Sequence, residues 1–482
     1  MERIGLKVIR SGIWSLGGNW FSRVLGIIKL IVLARLLSPI DFGIIGLAIL
    51  SVNVLNVFSE TGVEAALIQK DKIGKTELDT VWTLAIFRGL LLFILLFLSA
   101  GLIASYFDNM TLKPVLRTMS ATFLLGGFTN IGIIYFQKEL NFKKKVILDS
   151  AADIAGAVSA VILALYIRNV WALVVGTIIW VTVKCLASYL LHPYRPRISW
   201  DWPVAKSLLN FGKHIFWISV VTFLVTCGDD ALIGKLMGVT VLGFYTMAYN
   251  IANIPVSSLA GIIGKISFPA YSLLEKEPER LRAAFVHIFE TVFIILLPLT
   301  GLIILLAQDF TLVCLGKKWL PMVPALKILC LLGLFRSLSN LFAPVQLAMN
   351  KPNIQSRIKT IELLAFIILV YPLTVKWGLI GASWGVTLVY AISALVNTVH
   401  TSRLLSPLGM DLAKTLMFPF TILVILTFNI LIAMNFMSSE IMHFRFLFMI
   451  LLSLIIYGSA LILFKKQFLL NIFPLFIGKN SS

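Results

Sequence analysis

Two arginines, Arg23 and Arg336, lie inside apolar stretches that are long enough to cross a membrane, and no acidic residue lies near either of them at a comparable depth. An ionisable side chain in hydrocarbon costs about 3 kcal/mol or more unless it is paired or hydrated. Asn19 and Gly26 share one helical face with Arg23. This polar stripe indicates a cavity wall on which the guanidinium holds an anion, since its planar fork forms paired, charge-assisted hydrogen bonds. The alternative is that Arg23 bonds backbone carbonyls of a neighbouring helix and serves packing.

A second set of charges falls into acid–base groups at matching depths on neighbouring predicted helices. Such pairs predict salt bridges that staple adjacent helices, although any charge in hydrocarbon is also a functional candidate. The groups are Glu60 and Glu64 with Arg88, and Asp149 and Asp153 with Lys184.

The helices that must position these charges follow from the composition. The chain has 482 residues, 59% of them hydrophobic and 13% charged, and its mean hydropathy is +0.96. A bilayer core about 30 Å thick needs roughly 20 apolar residues per helix. The successive apolar stretches therefore predict an all-α integral membrane protein of about fourteen transmembrane helices, with no soluble domain. The first stretch, 11–36, is too long for a signal-peptide core, so we expect a retained helix.

The basic residues behind the formal net charge of +19 lie mostly in the predicted loops, and no polar domain carries them. This distribution argues against a nucleic-acid partner. With a cytoplasmic N-terminus, about 25 Lys and Arg, Lys143 to Lys145 among them, fall on the inner side and about eight on the outer side. We therefore predict a multi-pass protein with both termini in the cytoplasm. The four cysteines lie in or beside apolar segments without paired spacing, which predicts buried thiols and neither disulfides nor a metal site.

An internal repeat organises the chain. Residues 34–48 align with residues 234–248 at an offset of 200, and residues 170–174 resemble residues 376–380 at an offset of 206. The repeat predicts two copies of a six-helix bundle. Since each copy has an even number of helices, both have the same orientation and are related by an axis along the membrane normal.

The predicted domains follow from this repeat. Residues 1–192 form an N-terminal six-helix lobe and residues 211–405 form a C-terminal one. Residues 193–210 form an amphipathic linker that lies as an interfacial helix on the cytoplasmic side. Residues 406–482 contribute two appended transmembrane helices and a cytoplasmic tail.

The repeat also places Asp229 opposite Lys29. A pair of Lys29 with Asp229 or Asp230 would close a gate on the outer side. Alternatively, the two adjacent carboxylates repel in low dielectric, which raises one pKa and creates a proton or sodium site for coupled transport.

The order of several short motifs resembles one known family. They are Leu33–Gly43, Ala66–Gln69, Val170–Val174, Leu242–Tyr245 with Ile254–Pro255, Phe268–Pro269 and Gly316–Pro321. With these motifs the sequence resembles the polysaccharide flippases of the multidrug, oligosaccharidyl-lipid and polysaccharide exporter superfamily. The resemblance implies a two-lobed fold in the bacterial inner membrane. It also implies export of an undecaprenyl-pyrophosphate-linked oligosaccharide for O-antigen (lipopolysaccharide), capsule or exopolysaccharide synthesis, with a polymerase and a chain-length regulator as partners.

This resemblance gives the mid-membrane charges specific roles. Arg23, together with Arg336 and Arg88, would hold the pyrophosphate, with Asn19 on the same face. Some lipid flippases of the superfamily are thought to place an ion near helices 7, 11 and 12, and Glu362 and Thr387 are the nearest candidates here.

Two rival functions fit the composition less well. A multidrug antiporter of the same superfamily would favour acids over arginine in its cavity and usually has twelve helices. A membrane polymerase or ligase would carry a large outer loop with clustered acids or histidines, and the longest outer loop, 309–323, has one acid. No Gly-x-x-x-x-Gly-Lys loop occurs, so ATP is not expected to drive transport within this chain. We predict a transporter that is not an enzyme and needs no cofactor.

Overall fold

The computed structural model describes residues 2–59, 67, 73–139, 141–256, 267, 271–405, 408–436 and 442–464, and every regular element within them is helical. Ten of these helices are long and apolar enough to cross a membrane. An eleventh span results if the bent pair Leu112–Gly127 and Ile131–Lys138, which meets at 68°, is one crossing. The all-α membrane architecture is therefore confirmed. The helices are α1 (Glu2–Leu36), α2 (Pro39–Phe58), α3 (Lys75–Tyr106), α4 (Leu112–Met119), α5 (Ala121–Gly127), α6 (Ile134–Lys138), α7 (Phe142–Ile167), α8 (Trp171–Leu191), α9 (Trp202–Ala252), α10 (Pro278–Phe310), α11 (Val323–Ala348), α12 (Pro352–Leu404), α13 (Leu408–Phe436) and α14 (Met442–Phe464).

The start of α2 explains the residues Ser38, Pro39 and Asp41 of the motif Leu33–Gly43. Pro39 occupies the first turn, where its missing N–H costs nothing. Ser38 caps the helix, and its backbone N–H donates to Oδ2 of Asp41 at 2.8 Å. The hydroxyl of Ser38 donates to the same oxygen at 2.6 Å. This capping box fixes the point at which the chain turns from α1 into α2.

The chain divides into two compact units, Met1–Gly243 and Phe244–Ser482. In the first unit α7 packs against both α8 and α1, and α3 packs against α4 and α5. Glycines allow close approach, since α7 and α8 touch at Gly156 and Gly176, where an added Cβ would lie 3.0 Å from the carbonyl oxygen of the partner glycine. The first unit is thus a tightly packed helical body.

In the second unit α11 packs against α12, and α10 packs against α11, α13 and α14. Ion pairs fix α10 to the last two helices near its two ends. Arg282 near the start of α10 donates through Nε to Oδ2 of Asp411 on α13 at 2.7 Å. Asp309 near the end of α10 accepts from Nη2 of Arg445 on α14 at 2.7 Å, and both side chains are almost fully buried. The helices α13 and α14 are therefore integral to this unit.

Two glycines of the first unit interlock. A Cβ atom on Gly43 would overlap the backbone carbonyl oxygen of Val239, and one on Gly243 would overlap that of Pro39. Positions 39 and 239, and positions 43 and 243, correspond under the offset of 200. The contact is reciprocal, and only residues without a Cβ allow it.

The linker differs from the expected interfacial helix over its first half. Residues 192–201 are not helical, and α9 begins at Trp202. Pro193 and Pro196 disfavour helix, and side chains of α3 satisfy the backbone of this segment instead. Arg197 N–H donates to Oδ1 of Asp79 at 2.8 Å, and Ser199 N–H donates to the hydroxyl of Thr83 at 3.0 Å. We call residues 193–201 the strap.

Candidate functional site

The first unit encloses a cavity of about 840 Å³ between α2, α3, α5, α6, α7 and α8. Its size lies in the range of small-molecule binding sites, about 300 to 1,000 Å³. Among the residues that the structure describes, four charged ones line it: Arg88, Lys145, Asp149 and Lys184. Neutral polar side chains line it as well, namely Asn56, Thr122, Thr129, Gln137 and Thr177. The cavity therefore combines charged and neutral polar side chains with the apolar residues of these helices.

Arg88 reaches from α3 to the end of α2. Its Nε donates to the hydroxyl of Ser59 at 2.9 Å, and its Nη2 donates to the carbonyl oxygen of Asn56 at 3.3 Å. These bonds orient the guanidinium at the cavity wall. The acids predicted to pair with it, Glu60 and Glu64, lie outside the described residues.

The predicted pairing of Asp149 with Lys184 is present, with Oδ1 and Nζ 3.1 Å apart. Their side chains are 36% and 32% exposed, which places the pair at the cavity surface and not in the packed core. Lys184 also lies over the ring of Trp180, 5.0 Å from its centroid. Asp153, the second predicted acid, accepts a hydrogen bond from the indole N–H of Trp180 at 2.8 Å. Asp153 thus orients an aromatic wall residue.

The predicted gate and anion-binding residues of the N-terminal half lie on α1 and α9. Lys29 is half-buried and lies within electrostatic range of Asp153, because α1 packs along α7. Arg23 is half-buried and Asn19 is exposed. Asp229 is buried on α9. The gate between Lys29 and Asp229 or Asp230 remains a prediction.

Arg336 lies on α11 in the second unit. Its Nη1 donates to the hydroxyl of Tyr249 at 2.6 Å, and its guanidinium lies over the ring of Tyr390 at 5.7 Å. The aromatic side chains therefore hold this cation in one orientation.

Glu362 is buried on α12 and accepts from two groups. Lys359 Nζ donates to Oε2 at 2.6 Å, and the hydroxyl of Ser393 donates to Oε1 at 2.5 Å. The hydroxyl of Ser339 in turn donates to Ser393 at 3.3 Å. Glu362 is therefore a member of a buried polar network with Lys359 and two serines, and its role in ion coupling remains a prediction.

Sequence reasoning missed Asp79, which organises the strap. Its buried carboxylate accepts from the hydroxyl of Tyr194 at 2.5 Å as well as from the backbone of Arg197. The side chain amide of Asn130 donates to the carbonyl oxygen of Tyr194 at 2.7 Å. Acidic residues are common in the first turns of helices. Nothing in the local sequence therefore distinguishes Asp79 as the residue that binds the strap.

A family model described as "Polysaccharide biosynthesis protein" matches residues 32–324. The chain belongs to this family. It is 28% identical over 400 residues to the lipopolysaccharide biosynthesis protein WzxC of Escherichia coli K12, covering 82% of this chain and 80% of that protein. It is 26% identical to the teichuronic acid biosynthesis protein TuaB of Bacillus subtilis 168, covering 70% of each. The predicted resemblance to polysaccharide flippases is confirmed.

The fold also matches solved structures. The lipid II flippase MurJ, in an inward closed conformation, aligns with a TM-score of 0.76 at 17% identity, covering 95% of this chain and 99% of that one. A multidrug transporter of the MATE family in an inward-facing conformation aligns with a TM-score of 0.55 at 17% identity, covering 83% and 96%. The chain therefore has the same fold as these transporter structures, and its fold is more similar to the MurJ structure than to that MATE structure.

Proposed function

We propose that the protein is a flippase that moves undecaprenyl-pyrophosphate-linked oligosaccharide units across the bacterial cytoplasmic membrane by alternating access. Membership of the polysaccharide biosynthesis family carries this proposal. Relatives named as a succinoglycan transport protein of Rhizobium meliloti and a putative O-antigen transporter of Shigella flexneri support it. The polar cavity supports it too, because a hydrophilic glycan needs a wet path through the apolar core.

The proposed topology has fourteen transmembrane helices in two six-helix copies and an appended pair. Two long helices contain residues outside helical geometry, Gly238 in α9 at φ 83° and Gly378 in α12 at φ 59°. If each break is a turn at the membrane surface, α9 and α12 each cross twice. With the bent pair as one span and with α1 added, these two extra crossings raise the eleven spans to fourteen. The reciprocal contact of Gly43 with Gly243 supports two copies related by a pseudo-two-fold axis.

The test is transport of a fluorescent polyprenyl-pyrophosphate oligosaccharide in proteoliposomes, followed by a membrane-impermeant quencher. We expect the purified protein to expose labelled lipid on both leaflets, whereas protein-free liposomes keep it on one. Collapse of the proton or sodium gradient slows transport if Asp229 and Asp230, or Glu362, form a coupling site. A pure gate pair at Lys29 predicts no dependence on either gradient.

A second function, ion-coupled multidrug antiport, is supported by the similarity to MATE structures. The same liposomes discriminate, because an antiporter exchanges cationic drugs for protons or sodium and leaves the labelled lipid in place. We propose no enzymatic activity for the chain, and a polymerase and chain-length regulator as partners downstream.

We further propose that Arg23 and Arg336 each contact the pyrophosphate during transport. For Arg23 the test compares Arg23→Lys with Arg23→Ala at equal membrane insertion. We expect Arg23→Ala to lower the transport rate by about 10- to 100-fold, since a charge-assisted contact is worth roughly 1.5–3 kcal/mol. Arg23→Lys keeps the charge but loses the bidentate fork, so an intermediate rate is expected. Full transport by the alanine variant would refute the role.

A further inference from the structure

The first-unit cavity offers groups suited to a hydroxyl-rich ligand. The hydroxyl of Thr122 donates to the carbonyl oxygen of Met119 at the end of α4, at 2.6 Å, and that of Thr177 donates to the carbonyl oxygen of Leu173 on α8, at 2.9 Å. Their oxygen lone pairs remain available as acceptors. The amides of Asn56 and Gln137 add donors and acceptors to the same walls. Several neutral hydrogen-bonding groups around one chamber match a sugar better than a compact phosphate group.

Aromatic side chains supply the apolar surface that a sugar ring also needs. Trp180 lines the chamber with its indole N–H fixed by Asp153, and Phe123 and Phe136 line it as well. A fixed aromatic ring offers a large contact area at little cost in side-chain entropy. The chamber therefore combines rigid apolar surface with neutral polar groups.

The charges of the chamber favour an anionic ligand. Lys184 is engaged by Asp149 and Arg88 by the end of α2. Lys145 lines the chamber half-buried, and it forms no hydrogen bond or ion pair with the residues that the structure describes. Its ammonium is thus the cation positioned to meet an acidic group of a ligand.

We propose that this chamber binds the glycan of the lipid-linked substrate and selects an acidic sugar, with the carboxylate of that sugar contacting Lys145. This inference rests on the proposed function and assigns its substrate class. An anion at Lys145 could come from the sugar carboxylate or from the carrier pyrophosphate. The neutral polar and aromatic lining favours the sugar, and two of the three cations among the described residues of this lining are engaged by protein groups, Arg88 by the end of α2 and Lys184 by Asp149.

The experiment uses two lipids in the liposome assay. Both carry the same trisaccharide on polyprenyl pyrophosphate, one with a glucuronate residue and the other with glucose at that position. We expect the wild-type protein to transport the glucuronate lipid about tenfold faster, as one charge-assisted contact allows. Lys145→Gln should remove this preference by slowing the acidic lipid alone, and Lys145→Arg should keep it.

Lys143→Gln is the matched control, since Lys143 lies on the same turn of α7 but is exposed and does not line the chamber. It should behave as the wild type. Equal slowing of both lipids by Lys145→Gln would assign Lys145 to the common pyrophosphate and overturn the inference. Equal rates of both lipids in the wild-type protein would overturn it as well. Failure of the wild type to move either lipid would instead refute the proposed flippase function, and this inference with it.

Discussion

At the scale of single residues, His192 shows how a neutral ring can be built into a membrane protein. It follows α8, stacks on Tyr135 with centroids 5.7 Å apart, and accepts the backbone N–H of Tyr194 through Nδ1 at 3.1 Å. Burial lowers the pKa of His192, and Lys144 and Arg195 lower it further, whereas Glu139 acts in the opposite direction. The neutral form is therefore the one that fits the fold.

This lowered pKa predicts a pH-dependent stability. At pH values between the lowered pKa of His192 and the ordinary histidine pKa of about 6.5, the unfolded chain binds more protons than the folded protein. The stability therefore falls as the pH drops below about 6.5. We expect the thermal unfolding midpoint in detergent to drop more between pH 7.5 and pH 5 for the wild type than for His192→Gln. Identical pH profiles of the two proteins would show that His192 is not responsible.

The predicted depth of each residue was enough to predict the ion pair of Asp149 with Lys184. Both residues lie in long apolar stretches, which locate their helices in the membrane clearly. The bond of Asp153 to Trp180 was not predictable, because indole N–H groups find partners that no periodicity marks. Lys145 was counted with the positive charge of the inner side, and only the fold shows that it lines a chamber.

At the scale of elements, the interlock of Gly43 and Gly243 brings two backbone segments into direct contact. Any side chain there must separate α2 from the segment after Gly238. We expect Gly43→Ala or Gly243→Ala to lower the stability by about 2–3 kcal/mol, as overpacking does in a tight core. Thermal unfolding in detergent, together with the transport assay, measures the effect.

Gly458→Ala is the control for this prediction. An added Cβ at Gly458 on α14 meets nothing within 4 Å. Because alanine favours helix over glycine by about 0.5–1 kcal/mol, this variant should be unchanged or slightly more stable. A stable, fully active Gly43→Ala protein would contradict the interlock.

The positions of the helices were predictable because a long apolar stretch in a membrane must satisfy its own backbone hydrogen bonds, which it does as a helix. The extended strap was not, since its conformation depends on Asp79 and Thr83, which precede it by more than a hundred residues. The repeat in sequence indicated that residues 43 and 243 are equivalent, but it could not indicate that they touch.

At the scale of the whole molecule, the breaks at Gly238 and Gly378 decide the topology. If the bent pair Leu112–Gly127 and Ile131–Lys138 is one crossing and the chain turns at Gly238, five crossings separate Met110 from Lys276, and the two residues lie on opposite sides of the membrane. Without that turn the number is four and they lie on the same side. We expect a cysteine at Met110 to react with an impermeant maleimide from outside intact cells and one at Lys276 to react only after permeabilisation.

The wild-type protein is the control for this labelling, since its four cysteines are buried or half-buried. Labelling of both introduced cysteines from outside would exclude the turn at Gly238 and with it the fourteen-helix topology. The distribution of Lys and Arg predicts which side is inner, and the fourteen predicted apolar stretches predict that α9 and α12 each contain two spans.

The ion pairs that join α10 to α13 and α14 also bear on how the chain is made. During synthesis Arg445 emerges after Asp309 has already been delivered to the bilayer, because translation runs from the N-terminus. Arg445 lies near the start of α14, and its insertion into hydrocarbon costs free energy unless a partner such as the carboxylate of Asp309 neutralises it. We therefore expect α10, which is synthesised first, to be the partner against which α14 inserts into the membrane. The order of the helices in the sequence is then also the order in which they assemble.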